Sequence, residues 1–305
     1  MLVRIATRTS PLARWQADHV ASAIRATAPE VDVEIVGVST EGDRRTDLPL
    51  SEIGGKGVFA TEVQAALLDG RADVAVHSGK DLPARTPDGL VIAAVPERGD
   101  PRDALVGSRL IDLRPDAVVA TGSARRRLQL GHLRPDLRFE DLRGNMATRL
   151  EKASRFDAIV VAAVALERLG VADRISDVLP ATLVVPQVAQ GALVVECRSD
   201  DERLRSCLTL IEHAPSRRTV DAERAFLTEL GGDCSLPAGA HAVALDDGVL
   251  RMQGVLGQVD GSGSMQMHHR TEVGDDPESV GTALARRLLA AADAGRSGAG
   301  TGERT

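Results

Sequence analysis

The chain has 305 residues, with 37 Lys and Arg against 44 Asp and Glu, so its formal net charge is −7. This length predicts two or three domains, and 43% hydrophobic residues are enough to form several cores. With four Phe, one Trp and no Tyr, stacking platforms for single-stranded nucleic acid are not expected, and no apolar run reaches the roughly 20 residues that span a bilayer. The first residues lack the features of a signal peptide, and three cysteines do not indicate a disulfide framework. We therefore expect a cytoplasmic protein that binds neither nucleic acid nor membrane.

The first two hundred residues alternate β-rich apolar runs with amphipathic helical patterns. Ser10 and Pro11 supply an N-cap and a first-turn proline, so a helix is predicted from there to about Thr27, and another is predicted over 58–68. Strands are predicted over 3–7, 31–38, 73–77 and 90–95 and, after the turn-rich segment 96–101, over 117–121, 137–142 and 158–161. This alternation, which restarts once, predicts two α/β domains with largely parallel sheets.

The apolar run 183–198 contains proline and glycine between two hydrophobic stretches, as a crossing back to the first domain would need. Two crossings between two domains form a hinge, and ligands commonly bind in such clefts. From about residue 215 the pattern changes to helix, three alternating strands and helix, which predicts a small α+β domain. The predicted boundaries are 1–96 with 192–213 for domain 1 (with a lid at about 40–57), 101–186 for domain 2, 214–293 for domain 3 and 294–305 for a disordered tail.

Four predicted strand ends carry Arg, Ser, Thr or Lys side chains. They are IATRTSP (5–11), AVHSGKD (75–81), ATGSARRR (120–127) and LRGNMATR (142–149). One such turn is usually only a helix cap, but helix N-termini together with Arg side chains also bind carboxylates or phosphates. Four turns at the carboxyl ends of strands predict a cleft that binds several negative charges. The side chains expected to bind them are Arg8, Arg125, Arg126, Arg143 and Arg149, whereas Arg127 is expected on the solvated side of its helix.

Asp81 follows Lys80 directly at the end of an apolar strand. The pair is either a surface ion pair or a cleft carboxylate that stabilises a developing cation, and its position favours the second reading. His77 is interpreted as a structural histidine. Cys197 and Cys207 lie in apolar patterns and are predicted core residues.

The third cysteine, Cys234, lies in the Gly-rich sequence GGDCSLPAG after a predicted helix. Such a loop can bring a thiol to a cleft as a nucleophile or an attachment point. None of the cysteines has a His or Cys partner at metal-ligand spacing, so a metal site is not expected.

Taken in order, the segments RIATRTSPLA, GGKG, RADVAVHSGKDLP, TGSARR, LRGNMATRL, AVALERLG, PQVAQGALVVECR and GGDCSLPAGA resemble the porphobilinogen deaminase (hydroxymethylbilane synthase) family. The resemblance runs from about residue 3 to 293. It implies a transferase that condenses four porphobilinogen molecules head to tail, releases ammonia and hydrolyses the product to hydroxymethylbilane. The fold implied is α/β, with two hinged, doubly wound α/β domains that resemble type II periplasmic binding proteins, plus a small C-terminal α+β domain.

The resemblance also implies a covalent dipyrromethane cofactor, attached by thioether to Cys234, and Asp81 as the catalytic carboxylate. Cofactor-binding residues by resemblance are Ser78, Lys80, Asp81, Thr121, Ser123, Arg125, Arg126 and Arg149. Substrate-binding residues by resemblance are Arg8, Ser10, Arg143, Arg149 and Arg168, and Lys56 and Phe59 would belong to the lid. The family also implies a monomer that passes its product to uroporphyrinogen-III synthase.

Several positions depart from the family pattern. Gly79 is smaller than the residue usual before Lys80, and Gly122-Ser123-Ala124 replaces the usual Ser-Ser-Leu. Ala147 and Ala189 occupy positions where glycine is common, while Asp233 and Glu52 add carboxylates.

Solute-binding proteins of transport systems remain the competing class, because they too have two hinged α/β domains with anion-binding turns. The Gly-Gly-Asp-Cys loop of a third domain argues against that class. Intact mass would separate the two classes, because only the deaminase would carry a covalent adduct.

Overall fold

The structure is a computed structural model that describes residues 1–40, 60–231, 237–245, 247–259 and 265–298. Its strands are β1 (Leu2–Arg8), β2 (Asp32–Val38), β3 (Val74–Ser78), β4 (Leu90–Ala94), β5 (Asp103–Val106), β6 (Val118–Ala120), β7 (Arg138–Glu140), β8 (Ala158–Ala162), β9 (Asp177–Leu179), β10 (Leu193–Arg198), β11 (Ala238–Ala244), β12 (Leu250–Val259) and β13 (Met265–Gly274). Its α-helices are α1 (Pro11–Thr27), α2 (Thr61–Leu68), α3 (Ala124–Leu133), α4 (Met146–Lys152), α5 (Ala163–Arg168), α6 (Glu202–Leu208), α7 (Ala214–Glu229) and α8 (Pro277–Gly298).

The first sheet has five strands in the order β2-β1-β3-β10-β4. β1 pairs in parallel with both β2 and β3, whereas β10 is antiparallel to β3 and β4. Successive residues of β1 face opposite sides, so Ile5 packs in the core that includes α1, whereas Ala6 packs against α2. Because helices cover both faces, these strands are nearly continuous apolar runs.

The second sheet repeats this plan in the order β7-β6-β8-β5-β9. β6 is parallel to β7 and β8, and β5 is antiparallel to β8 and β9. Val119 and Val160 pack in a core with Leu130 of α3, and Ile159 packs on the other face with Leu166 of α5. Both α/β domains therefore present the carboxyl ends of their parallel strands at one edge, where open sheets bind ligands.

Two crossings join these domains, over residues 95–102 and 185–192. They touch at two glycines, where the Gly99 amide donates to the Gly191 carbonyl at 3.2 Å. A Cβ at Gly191 would lie 2.5 Å from the Gly99 carbonyl oxygen, and Gly191 has φ +89°. Only glycine fits this left-handed conformation and close approach.

The third sheet, β11-β12-β13, is antiparallel and is covered on one face by α7 and α8. Glu223 of α7 is fully buried and connects this domain to both crossings. Its carboxylate accepts hydrogen bonds from the guanidinium of Arg98 at 2.7 and 3.0 Å and from the Ala189 amide at 2.6 Å. The third domain is therefore attached to both crossings between the α/β domains.

The predicted fold class is confirmed: two α/β domains and a small α+β domain, with the predicted strands and helices at nearly the predicted positions. The predicted strands do not include β5, β9 or β10: β5 and β9 are only four and three residues long, and the apolar run 183–198 that contains β10 is predicted as a crossing between the domains. The last helix continues to Gly298, so residues 294–298 are helical rather than part of a disordered tail. The predicted lid beyond residue 40 lies outside the described residues. In the described part of the chain, no helix is long and apolar enough to cross a membrane.

Candidate active site

The strand end that carries Asp81 forms a short 3-10 helix, Gly79–Asp81, directly after β3. Arg8, at the end of the neighbouring parallel strand β1, reaches this turn, and its Nη1 lies 4.0 Å from Asp81 Oδ2. The Asp81 side chain remains 35% exposed, so a ligand can approach it. Ser10 caps α1, since its hydroxyl accepts a hydrogen bond from the Ala13 amide. The adjacent strand ends thus bring Arg8 and Asp81 together.

Charged residues of both α/β domains act on Lys80. Burial lowers the pKa of Lys80 to about 8, against the opposing influence of Asp81. Arg126 and Arg149 of domain 2 are close enough to lower this pKa further. The Lys80 ammonium makes no hydrogen bond within the part of the chain that the structure describes. It is therefore a partly buried cation available for an anion.

Arg149 faces the same region from α4. Burial lowers the pKa of Arg149 to about 10, followed by repulsion from Arg126, while Asp81 opposes these effects. Its Nε donates to the Gly144 carbonyl, which holds the side chain over the turn before α4. Arg143, in the same turn, also lowers the pKa of Arg149. Like charges kept this close indicate a site built for negative ligands.

The hydroxyl and amide side chains of the domain 2 turns serve as local caps. Ser123 caps α3 by accepting from the Arg126 amide at 3.4 Å, and the buried Thr121 hydroxyl accepts from the Ser123 amide at 3.3 Å. Asn145 caps α4 through the Thr148 amide. These caps fix the helix N-termini at the cleft.

Arg125 and Arg126 meet at Asp103, a residue that the sequence analysis does not identify. Arg125 donates to Asp103 Oδ2 at 2.7 Å and to the Val185 carbonyl, and Arg126 donates to Oδ1 at 2.7 Å. Gln190, from the second crossing, also donates to Oδ1 at 2.8 Å. Asp103 is fully buried and Arg125 is 1% exposed. The only sequence signal for this group is a carboxylate at the start of the short apolar run DALV.

The direct contacts of Arg125 and Arg126 with cofactor carboxylates therefore stay a prediction. The guanidinium of Arg125 donates to Asp103 and Val185, although its Nε is buried without a hydrogen bond to any described residue. Arg126 also donates to the Val160 carbonyl, yet its charge still lowers the pKa of Lys80 and that of Arg149. Arg127 does not contact Asp103: its guanidinium donates to Asp141 at 2.5 Å and to the Thr121 carbonyl, so its side chain is only 35% exposed rather than fully solvated as predicted.

Arg168 ends α5 at the hinge side of the cleft. Its Nη2 donates to the Gly191 carbonyl at 2.6 Å, and its guanidinium carbon lies 5.4 Å from the ring centroid of Trp15, on α1 of the other domain. Burial lowers the pKa of Arg168 to about 10. The chain's single Trp therefore contacts a predicted substrate residue across the domain boundary, a contact that spacing in the sequence could not indicate.

A second buried polar group lies beneath the Asp81 turn. His77 Nε2 is 3.1 Å from Glu196 Oε2, and Gln64 of α2 donates to the same carboxylate at 2.9 Å. Glu196 is fully buried, and burial opposes its ionisation, but the His77 and Gln64 contacts lower its pKa. This agrees with the structural role predicted for His77.

The remaining predicted site residues lie outside the described residues: Cys234, Lys56 and Phe59. β11, the strand that follows Cys234 in the sequence, reaches the Asp103 group, since a Cβ at Gly239 would lie 2.7 Å from Arg125 Cδ. Cys197 is buried, as predicted, while Cys207 is only half-buried at the edge of the domain 1 core. Among the described residues no cluster of His, Cys, Asp and Glu could hold a metal ion.

Comparison with known proteins identifies both parts of the chain. The model of the porphobilinogen deaminase dipyrromethane cofactor-binding domain matches residues 3–206, and that of the C-terminal domain of the same enzyme matches residues 217–290. A porphobilinogen deaminase of Brevibacillus brevis is 44% identical over 292 residues, which cover 94% of each chain.

Solved structures similar to this chain include two solute-binding proteins. A nutrient-binding protein of Burkholderia cenocepacia bound to methionine has a TM-score of 0.42 at 14% identity, covering 68% of this chain and 90% of that one. The methionine-binding protein MetQ has a TM-score of 0.44 at 13% identity, covering 69% of this chain and 89% of that one. The sequence matches show that the chain belongs to the porphobilinogen deaminase family of hydroxymethylbilane synthases. These enzymes are transferases of tetrapyrrole biosynthesis that have a dipyrromethane cofactor-binding domain.

Proposed function

We propose that the cleft between the two α/β domains carries out the stepwise condensation of four porphobilinogen molecules, with the primer attached by thioether to Cys234. The observation that supports this most strongly is the site around Lys80. There a partly buried ammonium without a hydrogen bond to the described residues adjoins the Asp81 carboxylate and faces Arg126 and Arg149. Porphobilinogen carries an acetate and a propionate, so each added ring brings two negative charges into the cleft.

The charges of this structure fit a dipyrromethane. Lys80 and Arg149 both have pKa values lowered mainly by burial, so a bound carboxylate would stabilise the charged form of each side chain. When bound, the primer supplies the free pyrrole α-carbon on which the chain is extended. We assign its carboxylates to Lys80, Arg126 and Arg149, with support from Ser78, Thr121, Ser123 and Arg125.

Substrate and the growing chain are assigned to the arginines around this centre. Arg8 belongs beside Asp81, and Arg168 belongs at the hinge, where the Gly191 carbonyl and the Trp15 ring orient it. Arg143 and Ser10 complete this set, and Arg149 serves both ligands. Lys56 and Phe59 are assigned to a lid by family resemblance alone.

Asp81 is assigned the catalytic role. Loss of ammonia from porphobilinogen leaves a cationic azafulvene, and a fixed carboxylate lowers the free energy of such a cation. Arg8 lies beside this carboxylate, with its Nη1 4.0 Å from Asp81 Oδ2. The same carboxylate can act in each condensation, because the charge develops on the incoming ring every time.

The test is Asp81→Asn, which keeps the shape of the side chain and removes its charge. With cofactor content verified by intact mass, single-turnover ammonia release should fall by about 10²–10³. Asp81→Glu should retain a little activity, because the charge is kept but displaced. Asp116→Asn, an exposed carboxylate paired with Arg138 before β6, is the matched control and should release ammonia at the parent rate. Ammonia release by Asp81→Asn near the parent rate would show that Asp81 is only structural.

Cys234 is assigned as the attachment point because it alone lies in the Gly-rich loop that matches the family motif. Cys234→Ser should have the mass of the bare chain and no activity, whereas Cys197→Ala and Cys207→Ala should keep the adduct. An adduct on either of the other two cysteines would refute the assignment.

The predicted boundaries of the three domains are retained as part of this proposal. They are supported by the division of the strands, because β1–β4 with β10 form one sheet and β5–β9 form another. We further propose a cytoplasmic monomer that passes hydroxymethylbilane to uroporphyrinogen-III synthase, on the basis of the family. Sedimentation at working concentration tests the monomer.

A further inference from the structure

The turn that carries Lys80 and Asp81 rests directly on the second interdomain crossing. The Gly79 amide donates to the Ala192 carbonyl at 2.9 Å, and the Ala192 amide donates in turn to the Ala189 carbonyl at 3.2 Å. Ser78, just before the turn, is paired with Leu193 in the sheet. The backbone of the turn is therefore attached to the segment that connects the two α/β domains.

Gly79 has no room for a side chain at this contact. A Cβ built on Gly79 would lie 2.8 Å from Ala189 Cβ, 3.1 Å from the Ala189 carbonyl oxygen and 3.3 Å from Val194 Cγ2. The first distance is shorter than two carbon atoms tolerate, so either the turn or the crossing would have to move. The methyl group of Ala189 already fills this space.

Ala189 itself has an unusual backbone. Its φ is +55°, in the left-handed region that glycine adopts freely and that other L-residues adopt only at a cost in free energy. Its amide donates to Glu223 at 2.6 Å, its side chain is fully buried, and the next residue, Gln190, donates to Asp103. Fixed contacts on both sides therefore hold the Ala189 methyl group against the turn Gly79–Asp81.

We propose that Ala189 is a positioning residue for the reaction, and that its methyl group, by packing on Gly79, sets the position of Asp81 relative to the domain 2 arginines. Positions 79 and 189 then share one space, and only one of them can carry a Cβ without moving the turn. Both are departures from the family pattern, with a smaller residue at 79 and a larger one at 189. The inference rests on the proposed role of Asp81.

A double-variant cycle on the cofactor-loaded protein tests this proposal. Gly79→Ala should displace the turn and lower kcat by about 10–100-fold, because misplacement by about 1 Å can cost that much, while KM changes little. Gly79→Ala combined with Ala189→Gly should restore kcat to within about threefold of the parent, because the added methyl then takes the vacated space.

Ala189→Gly alone separates positioning from stability. It removes the strained φ, so the unfolding midpoint in urea should stay equal or rise, whereas kcat should fall because the turn loses its support. If Gly79→Ala fails to fold, Ala189→Gly still tests the proposal, because removal of a methyl group forces no other atom to move. Gly131→Ala is the matched control: its Cβ would meet Phe139 at an ordinary 3.5 Å, and kcat should be unchanged.

Three results would overturn the proposal: parental kcat in Gly79→Ala, parental kcat in Ala189→Gly, or a double variant no more active than Gly79→Ala. Cofactor content is measured by intact mass in every variant. Absence of ammonia release by the fully loaded parent would instead refute the proposed function, so the two failures are distinguishable.

Discussion

Replacing Asp103 by Asn is expected to be among the most damaging single changes in domain 2. The carboxylate is fully buried and accepts hydrogen bonds from Arg125, Arg126 and Gln190. Burial opposes the ionised form, yet Arg125 and then Arg126 outweigh burial and hold the pKa of Asp103 far below its usual range. Asp103 is therefore ionised at neutral pH, and its single negative charge partly offsets the two positive charges of Arg125 and Arg126.

The size of the effect follows from what the variant leaves behind. Asn keeps the shape and one acceptor oxygen, but its NH₂ group faces guanidinium donors, and two buried cations lose their counter-ion. Removing one partner of a buried ion pair typically costs about 3–5 kcal/mol, and we expect the upper part of that range. The neighbouring Asp100 pairs with Arg102, whose side chain is 47% exposed, while the Asp100 side chain is 16% exposed and also accepts from the Arg102 amide. Because water can solvate the Arg102 guanidinium in the variant, Asp100→Asn should cost less than Asp103→Asn, about 1–2 kcal/mol.

The assay is urea unfolding of both variants and the parent, with cofactor content measured by intact mass. Because the pKa of Asp103 is lowered in the folded state, its contribution is present at every pH above the usual aspartate pKa and is lost only as the pH falls through the folded value. The difference between the parent and Asp103→Asn should thus be the same at neutral and mildly alkaline pH. An Asp103→Asn variant as stable as Asp100→Asn would refute the reasoning.

Three further predictions concern other buried charges. Because the pKa of Lys80 is about 8, assembly of the primer by apoprotein should slow as the pH rises through that value. Lys80→Arg should extend assembly to higher pH, and identical pH profiles of reconstitution for parent and variant would contradict this. Arg168→Leu should change the fluorescence emission of Trp15, the only tryptophan, and raise KM more than it lowers kcat; an unaltered spectrum would show that the contact is absent in solution. Glu196→Gln should lower the free energy of unfolding by about 1–3 kcal/mol, because it weakens the buried contact with His77, and a urea midpoint equal to that of the parent would count against that contact.

Local features of the chain could be read from the sequence because they depend on neighbouring residues. The cap and proline at Ser10–Pro11 start a helix, and the apolar run 73–77 with its Ser-Gly-Lys-Asp extension forms a strand followed by a tight turn. The sequence also predicts that Arg8 and Asp81 each lie at the end of a strand, whereas the sheet order shows that these two strands are neighbours.

Contacts between distant segments could not be read in this way. Asp103 occurs in an apolar tetrapeptide that gives no indication of two arginines 22 and 23 residues away in the sequence. The sequence shows Arg125 only as one basic residue of a turn, whereas in the folded chain its guanidinium donates to Asp103. The sequence shows Trp15 only as an isolated aromatic residue, although the folded chain brings it beside Arg168.

By itself, the sequence determined the family, the alternation of strands and helices, and the residue types at each strand end, because these depend on local pattern and ordered motifs. The tertiary structure decided which of those charges remain available for a ligand and which are already paired. It also decided that Gly79 and Ala189 share one space, although 110 positions separate them in the sequence. Both depend on which segments the sheet order and the two crossings bring together, since burial and close packing arise only when distant parts of the chain meet.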